Sequence, residues 1–227
     1  MAPTLAPVLP ANTTDLPPLA DPADRARVEA AIESVASGEW IASDADETLW
    51  AADVGDEVVR LADLGAGPWP ARSADFAWYS KEMTEGDYAG ACRYAARLLH
   101  GHSLSAVRSA LQPALSSVQL RPWLARSLQR ARGRGVRLAI VSASPTLVVE
   151  FTSELLQFPV DRVIGLELRD GEVVEPASIG FGKVTAWQRA GLPQPKLALG
   201  DSRWDGPLLA AAQVGLRLVK ASHDRER

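Results

Sequence analysis

Apolar residues recur along this chain in two rhythms, helical over the first half and in short alternating blocks over the second. Val28, Ile32 and Val35 share one face of a predicted helix. Asp21 or Asp24 can cap it, Pro22 suits its first turn, and Gly38 ends it. A strand is predicted over residues 39–43, and it delivers Asp44. The pattern then stays helical for a long way. Val54, Val58, Leu61 and Leu64 mark one helix, stopped by Gly65-Ala66-Gly67-Pro68. Residues 75–85 and 87–99 read as two more, split near Gly86, and residues 103–111 as a fourth with Ser103 as cap.

From Arg121 onward, helices and strands alternate. Helices are predicted over residues 122–132, 145–157, 183–190 and 206–213. Buried strands are predicted over residues 136–141, 197–199 and 216–219. Residues 163–168 and 172–174 flank Arg169-Asp170-Gly171, a hairpin signal. Short apolar strands between helices imply an α/β fold, a Rossmann-like parallel sheet with helices on both faces. No strand pattern interrupts residues 54–118, so they read as an inserted all-helical cap. The expected organisation is a Pro-rich tail over residues 1–20, an α/β core over 21–53 and 119–227, and the cap between.

Composition narrows the function. With 227 residues the chain can hold one large domain or a core plus an insertion. A net charge of -4 argues against a nucleic-acid partner. No apolar run nears the roughly 20 residues that span a membrane, so no membrane partner is expected. The first residues carry no basic start of a secretory signal. The single cysteine, Cys92, allows no intrachain disulfide and reads as a small buried apolar residue. A reducing, cytoplasmic location is expected on that ground.

The chemistry gathers at predicted strand ends. Asp44 and Asp46 close the first strand in Asp44-Ala45-Asp46-Glu47-Thr48. Two carboxylates one residue apart repel each other and resist burial unless a divalent cation joins them. One can then attack phosphorus while the other moves a proton. A turn that caps a helix is the plainer reading of this stretch alone. Ser142 and Ser144 end a second strand, and Asp201 and Asp205 follow a third. Lys183 opens a helix after Gly180-Phe181-Gly182. Caps and solvated side chains account for each group singly, but not for their joint occurrence at successive strand mouths, where open parallel sheets form their sites.

The ordered set resembles the haloacid dehalogenase superfamily of phosphohydrolases, over residues 39–220. Asp44-Ala45-Asp46-Glu47-Thr48 is similar to its first motif, Ser142 to the second, Lys183 to the third, and Gly200-Asp201-Ser202-Arg203-Trp204-Asp205 to the fourth. The helical insert resembles the cap of the phosphoserine phosphatase-like branch. The resemblance implies that Asp44 is the nucleophile and Asp46 the general acid and base. Mg²⁺ would be held by Asp44, Asp201 and the backbone carbonyl of Asp46, with Asp205 behind them orienting Lys183 or a metal-bound water. Ser142 and Lys183 would hold the phosphoryl oxygens. Glu47 departs from the pattern, since the family usually places a small or neutral residue there; its side chain is expected to point to solvent.

The partner implied is a small phosphorylated metabolite. By the same resemblance Arg93 would hold a substrate carboxylate, and Asp53, with Glu57 one turn on, an amino group, as in a phosphoserine-like ester. Trp50, Trp69, Phe76, Trp78, Tyr79, Tyr88 and Tyr94 offer a rival, since aromatic rings can cage the head of phosphocholine or phosphoethanolamine, although such rings more often pack helices. Transfer of the phosphoryl group to an alcohol, or regulatory binding without turnover, stays open beside hydrolysis. The oligomeric state is not readable from the sequence.

Overall fold

The computed structural model describes residues 22–221. The Pro-rich tail and the Asp21 cap lie outside them. Nine helices and seven strands follow one another in the described residues, in the order α1 (Pro22–Glu33), β1 (Trp40–Ser43), α2 (Val54–Leu64), α3 (Phe76–Glu85), α4 (Tyr88–Arg97), α5 (Leu104–Leu115), α6 (Pro122–Gly133), β2 (Arg137–Pro145), α7 (Thr146–Leu155), β3 (Arg162–Leu166), β4 (Leu168–Arg169), β5 (Glu172–Val173), α8 (Phe181–Arg189), β6 (Leu197–Gly200), α9 (Gly206–Ala211) and β7 (Val214–Arg217).

Five strands form one parallel sheet in the order β3-β2-β1-β6-β7, so β1 is central. Alternation sorts the strand residues onto two faces. Ile41, Leu138, Ile140, Leu197 and Leu199 join one buried cluster with residues of α1, α6 and α7. Ala42, Ala139, Val141 and Ala198 join another with Trp187 of α8 and Leu208 and Leu209 of α9. The sheet is thus covered on both faces, as parallel sheets require.

Helices α2–α5, the segment expected as an insert, lie between β1 and α6. They start where the sequence supplies caps. Asp53, Asp75, Asp87 and Ser103 each accept a backbone N–H of the first turn they precede. Val54, Val58, Val107, Leu111 and Leu115 belong to the same buried cluster as Ile41 and Ile140. Helix α5 continues through Pro113 to Leu115, beyond the predicted 103–111. Pro113 gives up one i→i−4 hydrogen bond there, while Leu111 and Leu115 beside it are buried.

Three further elements differ from expectation. Strand β2 does not end at Val141 but shifts register against β3 and runs on to Pro145. Strand β7 lies two residues earlier than predicted, because pairing with β6 sets Gly200 opposite Arg217. The predicted hairpin forms only in part: Arg162–Leu166 joins the parallel sheet as β3, and the short strands β4 and β5 pair about Asp170 and Gly171, both at positive φ. No helix of the described residues is long and apolar enough to cross a membrane.

Candidate active site

Asp44 follows β1, Asp201 follows β6, and Ser142 and Ser144 lie in the extended end of β2, so three adjacent strands point their polar ends at one place. Lys183, in the first turn of α8, enters from the side. Its Nζ donates to Asp44 Oδ1 at 2.6 Å and to Asp205 Oδ1 at 2.5 Å. All three residues are buried. Thr48 Oγ1 stands 3.0 Å from both Asp44 Oδ2 and Asp201 Oδ1. One hydroxyl proton serves one oxygen at a time, so the other carboxylate wants a second donor or a cation.

Asp46 turns the other way. Its Oδ1 accepts from Trp50 Nε1 at 2.8 Å and from the Val54 N–H at 3.0 Å. Its Oδ2 accepts from Ser144 Oγ at 2.6 Å, with Ser142 Oγ at 3.4 Å. Ser142 Oγ also accepts the Ser144 N–H at 3.0 Å. The Asp205 carboxylate is tied on its far side to Ser202, whose N–H and hydroxyl donate to Oδ2 at 2.9 and 2.8 Å.

Burial dominates the electrostatics. It pushes Asp44 well above the ordinary carboxylate range, with Asp205 adding to the push and Lys183 opposing it. Burial also raises Asp46, against the hydrogen bonds from Ser144, Val54 and Trp50. Asp201 is pushed up to about 6 by burial and then by Asp205. For Lys183 burial disfavours the charge, but Asp205 and Asp44 outweigh it and hold the ammonium above its ordinary value.

Oxygens of Asp44, Asp201 and Asp205 lie within 4.8 Å of one another. The donors are all hard carboxylate oxygens, without nitrogen or sulfur, which is the set that Mg²⁺ takes. One buried lysine cannot neutralise these three carboxylates and Asp46 together. The residues therefore fit a divalent cation.

A cavity of about 300 Å³ opens over the cluster. Glu47 and Lys220 line it, as do Asp53, which caps α2, and Asp56, Met83 and Tyr88 of the insert. Glu47 therefore faces the cavity rather than solvent alone. Its φ of 56° is left-handed, a conformation that favours glycine, so the departure from the family pattern carries backbone strain. A larger groove of 810 Å³ runs between α7 and β3 and holds none of the strand-end acids.

Asp53 reaches the cavity; its Oδ1 also caps α2 through Gly55 and Asp56. Glu57 and Arg93 do not reach it. Glu57 pairs with Arg60 one turn on, and its neighbour Asp56 takes the cavity face instead. Arg93 lies about 140° around α4 from Tyr88, on a 100° step per residue. It pairs with Glu175 at 2.8 Å, outside the cavity. Of the seven aromatic residues offered as a cage, only Tyr88 lines the cavity. Trp50 is spent on Asp46, Trp69 donates to the Leu98 carbonyl, and Trp78 packs edge-on against Tyr94. Asp56 is a site residue with no signal in the sequence, and Thr48 and Ser144 belong to the strand-end pattern but receive no role from the resemblance. Ser144 carried a usable signal, because alternation in a strand puts Ser142 and Ser144 on one face.

A family model described as haloacid dehalogenase-like hydrolase matches residues 41–210. Solved structures resemble the chain at low identity. A protein of unknown function from Bordetella pertussis Tohama I is 22% identical, with 77% of this chain and 87% of that one covered and a TM-score of 0.62. A HAD family hydrolase from Salmonella enterica serovar Typhi is 20% identical, with 86% and 70% covered and a TM-score of 0.57. A substrate-bound phosphoserine phosphatase is 17% identical, with 82% and 95% covered and a TM-score of 0.52. These likenesses concern the fold. No curated protein matches the chain.

Proposed function

From the premise that the chain belongs to the haloacid dehalogenase-like hydrolases, we propose that it is a Mg²⁺-dependent phosphatase of small phosphomonoesters. The observation that carries this reading is the meeting of Asp44, Asp46, Lys183 and Asp201 beneath one cavity at the ends of adjacent strands. Asp44 and Asp201 would hold the ion by their carboxylates and Asp46 by its backbone carbonyl. When bound, Mg²⁺ neutralises charge on the phosphoryl oxygens and on the acids around them.

The chain's own residues supply the rest. A carboxylate oxygen of Asp44 attacks phosphorus, and the ester oxygen leaves with the proton of the Asp46 carboxyl group. The raised pKa of Asp46 favours the protonated form that this step needs. The Asp46 carboxylate then takes a proton from water, whose oxygen attacks the aspartyl-phosphate and frees Asp44 and inorganic phosphate. Lys183 places its positive charge beside the nucleophile, so an anionic ester can approach. Ser142 has its hydroxyl proton only weakly engaged, at 3.4 Å from Asp46, and can turn it to a phosphoryl oxygen.

The leaving group would rest against the insert. A cavity of about 300 Å³ admits a small polar ester such as a phosphoserine-like one, and the Asp53 and Asp56 carboxylates beside it suit an amino group. The lone buried Cys92 accords with a cytoplasmic enzyme.

A screen of small phosphomonoesters with and without Mg²⁺ tests this reading, with Asp44→Asn as the control. Asn keeps the shape but removes the attacking charge, so turnover should fall by several powers of ten. The wild type should also trap a hydroxylamine-labile phosphate on Asp44. Activity of the variant within tenfold of wild type, in a contaminant-free preparation, would rule out the covalent route.

A further inference from the structure

The steps above use no aromatic side chain, yet one aromatic pair joins the insert to the acidic cluster. Trp204 sits in the 3-10 turn Arg203–Asp205, between Asp201 and Asp205. That turn is stiff from within. Ser202 Oγ accepts the Trp204 N–H at 3.2 Å, and Asp205 answers by accepting from Ser202. Trp204 and Asp205 are thereby held in one turn, and Asp201 immediately precedes its capping residue Ser202 in the chain. The Trp204 ring stacks face to face on Tyr88, the first residue of α4, with centroids 4.8 Å apart and planes at 11°. The Arg203 guanidinium also stands over the Trp204 ring, its Cζ 5.0 Å from the centroid, and a Cβ on Gly180, at the start of the lysine-bearing helix, would stand 3.6 Å from Trp204 Cε3.

Few other contacts at this seam are specific. Tyr88 and Trp204 pack against a small apolar cluster that Cys92 and Ala96 of α4 form with Ala143, Leu166 and Val173. The ion pairs Arg93–Glu175 and Arg97–Glu172 span the same seam with partners that are 56% and 74% exposed. Exposed pairs of this kind fix little.

We propose that the Tyr88–Trp204 stack is a positioning contact that couples docking of α4 over the cavity to the placement of Asp201 and Asp205. Metal binding and closure of the insert then favour one another. Linkage makes the effect reciprocal: whatever docking adds to metal affinity, the metal adds to docking. The inference rests on the metal reading given above.

The test is a calorimetric Mg²⁺ titration without substrate. Wild type is compared with Trp204→Ala, Tyr88→Leu, the pair combined, and the ring-preserving Trp204→Phe and Tyr88→Phe. Losing one aromatic stack should weaken Mg²⁺ binding about three- to tenfold. The double variant should be no weaker than the worse single one, because both lose the same contact. The Phe variants should bind within about twofold of wild type. Tyr88→Leu keeps apolar bulk at the seam and stands on a different element from the acids, so it reports on the stack even if Trp204→Ala fails to fold. Hydrogen exchange gives the reciprocal reading: Mg²⁺ should slow exchange of α4 amides in wild type and not in Tyr88→Leu. Wild-type binding of Mg²⁺ with unchanged affinity in Tyr88→Leu overturns the coupling and leaves the phosphatase reading intact. Absence of Mg²⁺ binding by wild type overturns both.

Discussion

Lys183 and Arg93 make ion pairs of nearly equal length in two regions that obey different physics. Lys183 lies 2.6 Å from Asp44 with almost no exposed surface on either side chain. Arg93 lies 2.8 Å from Glu175, which is more than half exposed. At the strand mouths water is excluded, so each charge depends on its partner and the arrangement has few alternatives. On the flank of the insert water can replace either partner at little cost. Distance alone would rank the two pairs together, whereas burial separates them by several-fold in energy. The chemistry-bearing half of the cavity is therefore fixed by its own electrostatics. On the insert's exposed flank, away from the Tyr88–Trp204 stack, side chains such as Arg93 can change without disturbing the first.

The comparison breaks most visibly at Lys183. Lys183→Met fits the same volume but leaves Asp44 and Asp205 buried without their cation. Removing one member of a buried pair costs about 3–5 kcal/mol. Urea unfolding in chelator at neutral pH should show that loss. Saturating Mg²⁺ should recover part of the stability, because a cation again faces Asp44, but activity should stay low. A destabilisation below about 1 kcal/mol would mean that the burial argument for this region is wrong.

A smaller effect comes from pH. In the metal-free protein Asp201 and Asp56 each have a pKa of about 6, raised first by burial, and Asp44 and Asp46 shift in the same direction. In the unfolded chain these groups titrate near 3.9. Between those values the folded state binds more protons than the unfolded state, so stability falls as pH rises through the window and levels off above it. The rise at Lys183 acts only in the alkaline range. Each pK unit is worth about 1.4 kcal/mol, so Asp201 alone contributes less than about 3 kcal/mol. Thermal unfolding in chelator should give a higher Tm at about pH 5 than at about pH 7.5. Saturating Mg²⁺ should flatten or reverse that trend, since the ion favours the ionised carboxylates. A metal-free Tm that climbs with pH over this range would contradict the assigned burial of the cluster.

The same contrast explains what was readable from the sequence. The helix caps of α2–α5 and the Asp170-Gly171 turn follow local rules, and the structure has them, whereas the ends of β2 and β7 are set by pairing with their neighbours. Asp44, Ser142, Lys183 and Asp201 could be singled out because polar residues at the mouths of apolar strands have no packing explanation. Contacts between distant segments have no local signature. The Trp50 and Ser144 bonds to Asp46 depend on how α2 and β2 approach β1, and on a register shift that no alternation pattern shows. The resemblance puts Asp53 at the cavity but gives Glu57 and Arg93 the right element and not the right face. Asp56 rather than Glu57 turns inward, and Tyr88 rather than Arg93.

Arg93 provides the sharpest and smallest test of the comparison. A charge-assisted contact to a substrate carboxylate is worth roughly 1.5–3 kcal/mol. If Arg93 made it, Arg93→Ala would cut kcat/KM for a carboxylated ester by roughly 10- to 150-fold and spare p-nitrophenyl phosphate. The position of Arg93 argues otherwise. Its guanidinium is engaged by Glu175, and its place on α4 faces away from Tyr88 and the cavity. To serve the substrate it would have to leave that partner and cross the helix. Arg93→Ala should therefore change kcat/KM by less than about twofold for phosphoserine and p-nitrophenyl phosphate alike, on the scale of exposed pairs. Its stability cost should stay below about 1 kcal/mol for the same reason. A tenfold loss confined to phosphoserine would show that the flank rearranges when substrate binds, and that the insert's side of the cavity is made by closure rather than present beforehand. The strand-mouth assignments would stand in either case, because no atom of Arg93 enters the network that holds Asp44, Lys183 and Asp205.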